Sequence, residues 1–164
     1  MATDIITNEP LPLAERIKPF LARYGPALAF VMAATATLGS LYYSEIRDFI
    51  PCDLCWFQRI LMYPLAAILL VGFIRFDRWV PAYVLPLATV GFGFSTYHYY
   101  VQNAEIHASG FCRVGASCSV KWVNYFGFVT IPFMAQVAFA LIIIVMLATV
   151  WAVAHSEDEH DYED

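Results

Sequence analysis

The chain has 164 residues, of which 60% are hydrophobic, 16% aromatic and 14% charged, and its mean hydropathy is +0.61. A soluble domain is typically about 25% charged, so this composition indicates a protein whose solvent is the lipid bilayer. The net charge of −5 comes from an acidic C-terminal tail, because the nine basic residues nearly balance the acidic ones outside it. Without a basic stripe to meet phosphates, nucleic-acid binding is excluded.

Four apolar stretches have about the length that a helix needs to cross a bilayer, roughly 20 residues. They are residues 24–43, 56–74, 79–101 and about 126–153. We therefore expect an all-α integral membrane protein, a single domain built as a four-helix transmembrane bundle. The ATA triplet at residues 34–36 resembles a signal-peptide cleavage box. The apolar run continues past it and a long polar segment precedes it, so we expect the first span to be retained.

Basic residues in the connections predict the orientation of the bundle. An even number of spans puts both termini on one side, and cytoplasmic loops carry the excess of Lys and Arg. One side is flanked by Arg16, Lys18, Arg23, Arg75 and Arg78, and the other carries Arg47, Arg113 and Lys121. We expect cytoplasmic N and C termini, so that the connections after the first and third spans, which carry the cysteines, both face outward.

The C-terminal residues 155–164, HSEDEHDYED, carry many like charges. Such a run is typically a solvated, disordered tail, and we expect an acidic disordered tail here. A metal site made of His155, His160 and the neighbouring carboxylates is the alternative.

The four cysteines form two close pairs, Cys52 and Cys55 in PCDLCWFQR and Cys112 and Cys118 in FCRVGASC. Outside the cytosol such pairs oxidise, so the spacing predicts two disulfides. A CxxC closes so small a ring that it constrains little chain entropy, and such pairs are more typically exchangeable than structural. Redox chemistry is the favoured interpretation. Purely structural disulfides and a four-thiolate zinc site are the alternatives, although the sequence lacks the usual glycine-rich zinc knuckles.

The CxxC pair lies at the predicted mouth of the second span. Pro51 places Cys52 near the helix cap and Cys55 in the first turn, where free N–H groups and the helix dipole favour a thiolate. Cys55 is therefore the natural electron donor of the pair. Arg59 follows at the i+7 position from Cys52, so helical spacing predicts that Cys52, Cys55 and Arg59 share one face.

Arg59 is expected within or at the edge of the apolar layer. Residues 60–74 separate it from Arg75, about 22 Å of helix, whereas the hydrocarbon core is about 30 Å thick. A cation held at this depth is costly and indicates function. The hypothesis is that Arg59 donates a hydrogen bond to a quinone carbonyl and stabilises the negative charge that develops there. Snorkelling of the side chain to the headgroups is the alternative.

His98, in TYHYYVQN, lies about one turn inside the outer end of the third span, at a depth similar to that of Arg59. It is a candidate quinone-binding residue, and a histidine that only satisfies a neighbouring polar group is the alternative. No charged residue occurs from Trp122 to Ala154, which is too long for one crossing. VNYFGF, broken at Gly127, is therefore expected to form an interfacial segment before the fourth span.

The run LGSLYYSEIRDFIPCDLCWFQRILMYP, with the later CRVGASC and NYFGFVTIPF, resembles the DsbB family of thiol–quinone oxidoreductases, in particular its Bacillus-type BdbC branch. CxxCxxxR at a helix mouth with a second outer cysteine pair is a specific signature, and the likeness extends from Leu38 to the middle of the fourth span. It implies disulfide-bond formation in a bacterial cell membrane. The implied partner is an extracytoplasmic thioredoxin-fold thiol oxidase of the DsbA or BdbD type, and the implied electron acceptor is menaquinone or ubiquinone.

The same resemblance assigns roles to individual residues. Cys52 and Cys55 match the quinone-proximal pair, with Cys55 beside the ring, and Arg59 matches the arginine of the quinone site. Cys112 matches the cysteine that forms the mixed disulfide with the partner, and Cys118 the one that relays to Cys52. The second pair is separated by a much shorter loop than in the better-known DsbB pattern, and this suits the Bacillus type. The vitamin K epoxide reductases are an alternative four-helix family. They are expected to carry their CxxC late in the chain, whereas here it opens the second span.

Overall fold

A computed structural model describes residues 13–104, 112 and 117–160, and it is all-helical over these ranges apart from turns and one isolated bridge between Tyr125 and Val129. The four helices are α1 (Leu13–Leu41), α2 (Asp53–Arg75), α3 (Val80–Asn103) and α4 (Ile131–His160). A π-helical turn, Tyr42–Ile46, extends α1. The prediction of an all-α protein is confirmed.

Three of these helical stretches are long and apolar enough to cross a membrane: Ile17–Ile46, Asp53–Arg75 and Ile131–His155. The chain is therefore a membrane protein. Helix α3 nearly coincides with the predicted third span, residues 79–101, and its 24 residues are about 36 Å long at 1.5 Å per residue. Helix α3 is not one of the three candidate spans, because its glycines, tyrosines and polar residues lower its mean hydropathy.

Each helix packs against two neighbours. Helix α1 contacts α2 and α4, and α3 contacts the same two helices from the opposite side. The shared core is aliphatic, with Leu65 and Leu69 from α2, Val84 from α3 and Ile142 from α4 all fully buried. Small residues let the helices approach closely, and this is clearest at Gly91 of α3, where an added Cβ would collide with the ring of Phe139 on α4.

The connection between α2 and α3 is a tight turn. Phe76 ends α2 in the left-handed conformation (φ 50°), and its N–H donates to carbonyls of the last helical turn. Pro81 lies in the first turn of α3, where its missing N–H costs nothing. The short turn sends α3 back along α2. The start of α2 and the end of α3, which both lead to cysteines, therefore lie at the same end of the bundle.

Helix α4 begins at Ile131, later than residue 126, where the fourth span was expected to start. Before it, Phe126 and Gly127 have positive φ values of 55° and 83°, and Tyr125 and Val129 exchange backbone hydrogen bonds. The VNYFGF segment is thus a separate turn ahead of the helix. At the other end the α4 backbone stays helical to His160, which includes the first part of the tail expected to be disordered. Residues 161–164 of that tail lie outside the described residues.

Candidate active site

Helix α2 begins at the CxxC pair. Cys52 is the N-cap, with the extended conformation typical of that position (φ −79°, ψ 170°), and its sulfur accepts a hydrogen bond from the backbone N–H of Cys55 at 3.4 Å. A side chain that accepts from a first-turn N–H satisfies one of the groups that every helix start leaves free. The sequence PCDLC therefore sets both the start of the helix and the positions of its two sulfurs.

The two cysteine pairs are in different states. Cys112 and Cys118 form a disulfide, with their Cα atoms 6.0 Å apart. Cys52 and Cys55 are free thiols whose sulfurs are 2.6 Å apart. The expectation of two disulfides is thus met by one pair, and the sulfurs of the other pair are close enough for a small side-chain rotation to join them. One oxidised and one reduced pair are the reactants and products that thiol–disulfide exchange requires.

The two pairs meet at Cys52. The Sγ atoms of Cys52 and Cys118 and a ring nitrogen of His98 all lie within 4.8 Å of one another. Cys52 and Cys118 belong to one buried cluster with Leu54 and Val101, in which Cys52 is only 4% exposed. The sulfur of Cys118 is already bonded to Cys112, so this group has one thiol and one imidazole and not the four ligands of a structural zinc site.

The environment of Cys52 favours its protonated form. The pKa of the Cys52 thiol is raised, first by its hydrogen bond with the Cys55 sulfur and then by burial. The hydrogen bond with His98 acts in the opposite direction and lowers this pKa. His98 therefore favours the thiolate form of Cys52.

A cavity of about 600 Å³ lies beside α2. Its volume is within the range of small-molecule sites, about 300–1,000 Å³. Most of its wall is apolar, and the residues that α2 contributes include Cys55, Gln58 and Arg59. Other lining residues are Val31, Ser40, Tyr43, Phe49, Trp122 and Met134. Among the described residues, α3 contributes nothing to this wall.

Three of the lining aromatic side chains form a stack. Phe49 lies parallel to Tyr43 at a centroid distance of 5.8 Å and parallel to Trp122 at 5.0 Å. Tyr43 belongs to the turn after α1, Phe49 precedes Cys52, and Trp122 follows Cys118. The stack thus joins the two connections that carry the cysteines at the wall of the cavity.

Arg59 is held at this wall by α1. Its Nε donates to the Ser40 hydroxyl at 2.9 Å and its NH2 group to the Ser40 carbonyl at 3.1 Å. The guanidinium also lies 5.4 Å from the centre of the Trp56 ring. Ser40 thus engages two of the five N–H donors of the arginine. Sequence reasoning missed Ser40, because nothing in the spacing along α2 indicates which residue of α1 faces Arg59.

His98 lies beside Cys52 and Cys118. It is 2% exposed, its Nε2 is 3.6 Å from the Cys52 sulfur, and its Nδ1 is 3.1 Å from the side-chain nitrogen of Gln58. It is absent from the residues that line the cavity. The structure therefore brings Cys55 and Arg59 to the cavity, and Cys52 and His98 to the buried sulfur cluster. Helical spacing had predicted one shared face for Cys52, Cys55 and Arg59, and had not indicated Gln58.

A model of the family described as "Disulfide bond formation protein DsbB" matches residues 22–154. The chain belongs to this family. The matched DsbB region includes all four cysteines as well as Arg59 and His98, and it extends from the first candidate span almost to the end of the last. Disulfide-bond formation, and with it an oxidoreductase activity, is therefore the general role of this chain.

Several named proteins are similar to this DsbB-family chain. Disulfide bond formation protein C of Bacillus subtilis is 52% identical over 120 residues, which cover 72% of this chain and 86% of the relative. A probable disulfide formation protein of Oceanobacillus iheyensis is 47% identical, over 73% of this chain and 84% of the relative. A probable disulfide formation protein C of Halalkalibacterium halodurans is 45% identical, over 73% and 88%. No solved structure matches the chain.

Proposed function

We propose that this DsbB-family protein is a thiol:quinone oxidoreductase. It reoxidises a thioredoxin-fold thiol oxidase on the outer face of the membrane and passes the electrons through its two cysteine pairs to a membrane quinone, either menaquinone or ubiquinone. The observation that carries the proposal is the position of the CxxC pair. Cys52 lies within 4.8 Å of Cys118, while Cys55 lines a cavity of about 600 Å³ beside Arg59.

The cavity has the chemistry that a quinone requires. Its wall is mostly apolar, which suits a hydrophobic ring and an isoprenoid tail, and its polar residues include Ser40 and Arg59. Arg59 is the residue that would donate hydrogen bonds to a carbonyl oxygen, and its bonds to Ser40 hold the guanidinium in place before any ligand arrives. A bound quinone supplies an acceptor for two electrons.

The transfer between the pairs begins with two exchange steps. A thiolate of the partner attacks Cys112: a partner–Cys112 mixed disulfide forms, the Cys112–Cys118 bond breaks, and Cys118 leaves as a thiolate. Cys118 then attacks Cys52 of an oxidised Cys52–Cys55 pair. A Cys118–Cys52 bond forms, and Cys55 leaves as a thiolate that carries the electron pair at the cavity wall. Proximity of the sulfurs of Cys118 and Cys52 supports the second step.

We also propose that α3 is a fourth membrane crossing, which completes a four-helix transmembrane bundle. Its length of about 36 Å exceeds the hydrocarbon core, and it packs between α2 and α4, which are both candidate spans. With four crossings both termini lie on the cytoplasmic side of a bacterial cell membrane, and the cysteine pairs lie on the extracytoplasmic side. The support is the set of arginines at the opposite end of the bundle from the cysteines, which includes Arg23, Arg75 and Arg78.

The test is a coupled assay with purified protein, a reduced thioredoxin-fold oxidase and a quinone. Thiol oxidation in the partner and the fall of quinone absorbance are followed together, once with menaquinone and once with ubiquinone. Equal rates of both signals, lost together in the Cys112→Ser/Cys118→Ser double variant, support the proposal. Absence of turnover with both quinones, together with a Cys112–Cys118 disulfide that the partner cannot reduce, would instead indicate a membrane scaffold with structural cysteines.

A further inference from the structure

A buried chain of three side chains leads from α2 to α3 and ends on Cys52. Gln58, His98 and Cys52 are 6%, 2% and 4% exposed. The Gln58 side-chain nitrogen is 3.1 Å from Nδ1 of His98, and Nε2 of the same ring is 3.6 Å from the Cys52 sulfur. The surroundings are apolar, with Leu54 and Val101 in the same buried cluster. Such a hydrogen-bonded chain is stronger in this medium than in water.

The geometry fixes which ring nitrogen carries the proton. The group of Gln58 that faces Nδ1 is an amide nitrogen, which only donates hydrogen bonds. Nδ1 must therefore accept, and the proton of the neutral imidazole lies on Nε2. That N–H faces the Cys52 sulfur, so His98 is set to donate a hydrogen bond to it. A donor of this kind is stronger towards a thiolate than towards a thiol, because the acceptor is then charged.

We propose that His98 is the hydrogen-bond donor that stabilises Cys52 as a leaving thiolate during transfer between the two cysteine pairs, with Gln58 as the residue that positions the imidazole. This inference rests on the proposed function. It assigns His98 to the sulfur relay and not to the quinone site, where sequence reasoning had put it, and it gives Gln58 a role that the sequence had not indicated.

The step concerned is the release of Cys52. After Cys118 has attacked, a Cys118–Cys52 bond is present and Cys55 holds the electron pair. The partner's second thiolate attacks the partner–Cys112 bond, so the partner's own disulfide forms and Cys112 leaves as a thiolate. Cys112 then attacks Cys118: the Cys112–Cys118 bond forms, the Cys118–Cys52 bond breaks, and Cys52 leaves with the bonding electron pair. Exchange is faster when the leaving sulfur is the better stabilised anion. His98 keeps its proton at Nε2 throughout, so the two protons lost by the partner's thiols remain available to form the quinol.

Among the described residues, Cys55 and His98 are the titratable groups with the largest effects on the pKa of Cys52, larger than that of the adjacent Asp53. On α2, Cys55 shares the sulfur contact, whereas Arg59 is bonded to Ser40 of α1. In the segment after Cys118, which is itself in a disulfide, Lys121 donates to Asn103. His98 is the contact from α3. The effect of pH on Cys52 therefore reports mainly on Cys55 and His98, and removal of Cys55 isolates the histidine.

The test uses full-length protein in which Cys52 is the only cysteine, with Cys55, Cys112 and Cys118 replaced by Ser. The rate of its reaction with a small neutral disulfide is measured against pH, and the half-maximal point of this profile does not depend on how accessible the sulfur is. In His98→Phe we expect the half-maximal point to rise by about one pH unit or more and the rate at pH 7 to fall at least about tenfold. His98→Gln, which brings an amide N–H close to the position of Nε2, should recover much of this loss.

Two further variants separate a hydrogen bond from a general packing effect. Gln58→Met leaves the imidazole in place but frees Nδ1, so we expect a smaller rise in the half-maximal pH. Ser95→Ala is the matched control, because Ser95 is fully buried one turn before His98 and its hydroxyl donates to the carbonyl of Phe92 in its own helix. A profile unchanged in His98→Phe, or shifted equally in Ser95→Ala, would overturn the proposal.

The role at the quinone is tested separately, in otherwise unmodified protein. We expect His98→Phe to lower kcat without changing the KM for quinone. A raised KM with an unmoved Cys52 profile would return His98 to the quinone site. The Cys52 profile needs neither partner nor quinone. If the wild-type protein made no quinol, this failure would remove only the proposed function, and a shifted Cys52 profile would still show that His98 stabilises the Cys52 thiolate.

Discussion

At the N-terminal end of α2, one sulfur of the CxxC pair lies in a closely packed cluster and the other at the wall of a cavity. On one side Cys52 lies in a buried cluster with His98 and Cys118, built from α2, α3 and the segment around residue 118. On the other side Cys55 lines a cavity of about 600 Å³ built from α1, α2, α4 and their connections. A single CxxC thus presents one sulfur to a site suited to sulfur exchange and the other to a site large enough for a small molecule.

The largest effect is expected from loss of the sulfur that faces the cavity. In the proposed relay Cys55 carries the electron pair to the acceptor, so quinol formation in Cys55→Ser should fall to the background rate. The Cys112–Cys118 disulfide does not depend on Cys55, so a reduced partner should still be able to open it once. Stopped-flow measurement of quinone absorbance, with thiol trapping of Cys112 and Cys118, checks both expectations. Sustained quinone turnover in this variant would refute the division of roles between the two sulfurs.

The next largest effect is expected at Arg59, and it should be confined to the cavity side. Arg59→Met removes the guanidinium but keeps a long apolar side chain, so we expect the KM for quinone to rise about tenfold or more, as for loss of a charged hydrogen bond. The rate of disulfide exchange with the partner should not change. Arg75→Met, at the far end of the same helix, is the control and should leave the KM unchanged. An unaltered quinone dependence in Arg59→Met would exclude this residue from the site.

A smaller effect of the same kind is expected at Ser40. Ser40→Ala removes the hydroxyl that accepts from Nε of Arg59 and leaves the carbonyl that accepts from NH2. Loss of one of the two bonds should raise the KM for quinone roughly threefold, and Ser40→Thr should restore it. A steady-state titration of quinone at a fixed partner concentration measures this. A larger effect in Ser40→Ala than in Arg59→Met would contradict the idea that Ser40 acts through the arginine.

The smallest effect on function is expected from a change in the packing between α3 and α4. An added methyl at Gly91 meets the Phe139 ring, whereas nothing lies within 4 Å of a Cβ added at Gly93. Gly91→Ala should therefore lower stability by about 1–3 kcal/mol and raise the KM for quinone slightly, because Phe139 also lines the cavity. Gly93→Ala is the control and should change neither. Thermal unfolding in detergent measures the first effect and a quinone titration the second, and an unchanged unfolding temperature would contradict the close contact between Gly91 and the Phe139 ring.

Local patterns along the sequence predicted the parts of the molecule that depend on one segment at a time. Apolar run length predicted the helices, and PCDLC predicted the start of α2 with Cys52 at its cap. The spacing did not place Cys52 relative to Arg59, because an N-cap residue has non-helical backbone angles and so departs from the helical face that its number suggests. The contacts of His98 and Ser40 depend on how α3 and α1 are rotated against α2, and this rotation is set by packing between helices.

The stack of Tyr43, Phe49 and Trp122 joins the wall of the cavity to the segment that follows the second cysteine pair. Trp122 follows Cys118 closely in the chain, so a partner that displaces this segment also displaces a ring that lines the cavity. Coupling between two binding sites is reciprocal in free energy. A molecule in the cavity that holds the rings in place therefore changes the affinity for the partner by some factor. The partner changes the affinity for that molecule by the same factor. In the proposed reaction, a shared aromatic wall of this kind couples the affinities for the partner and for the quinone.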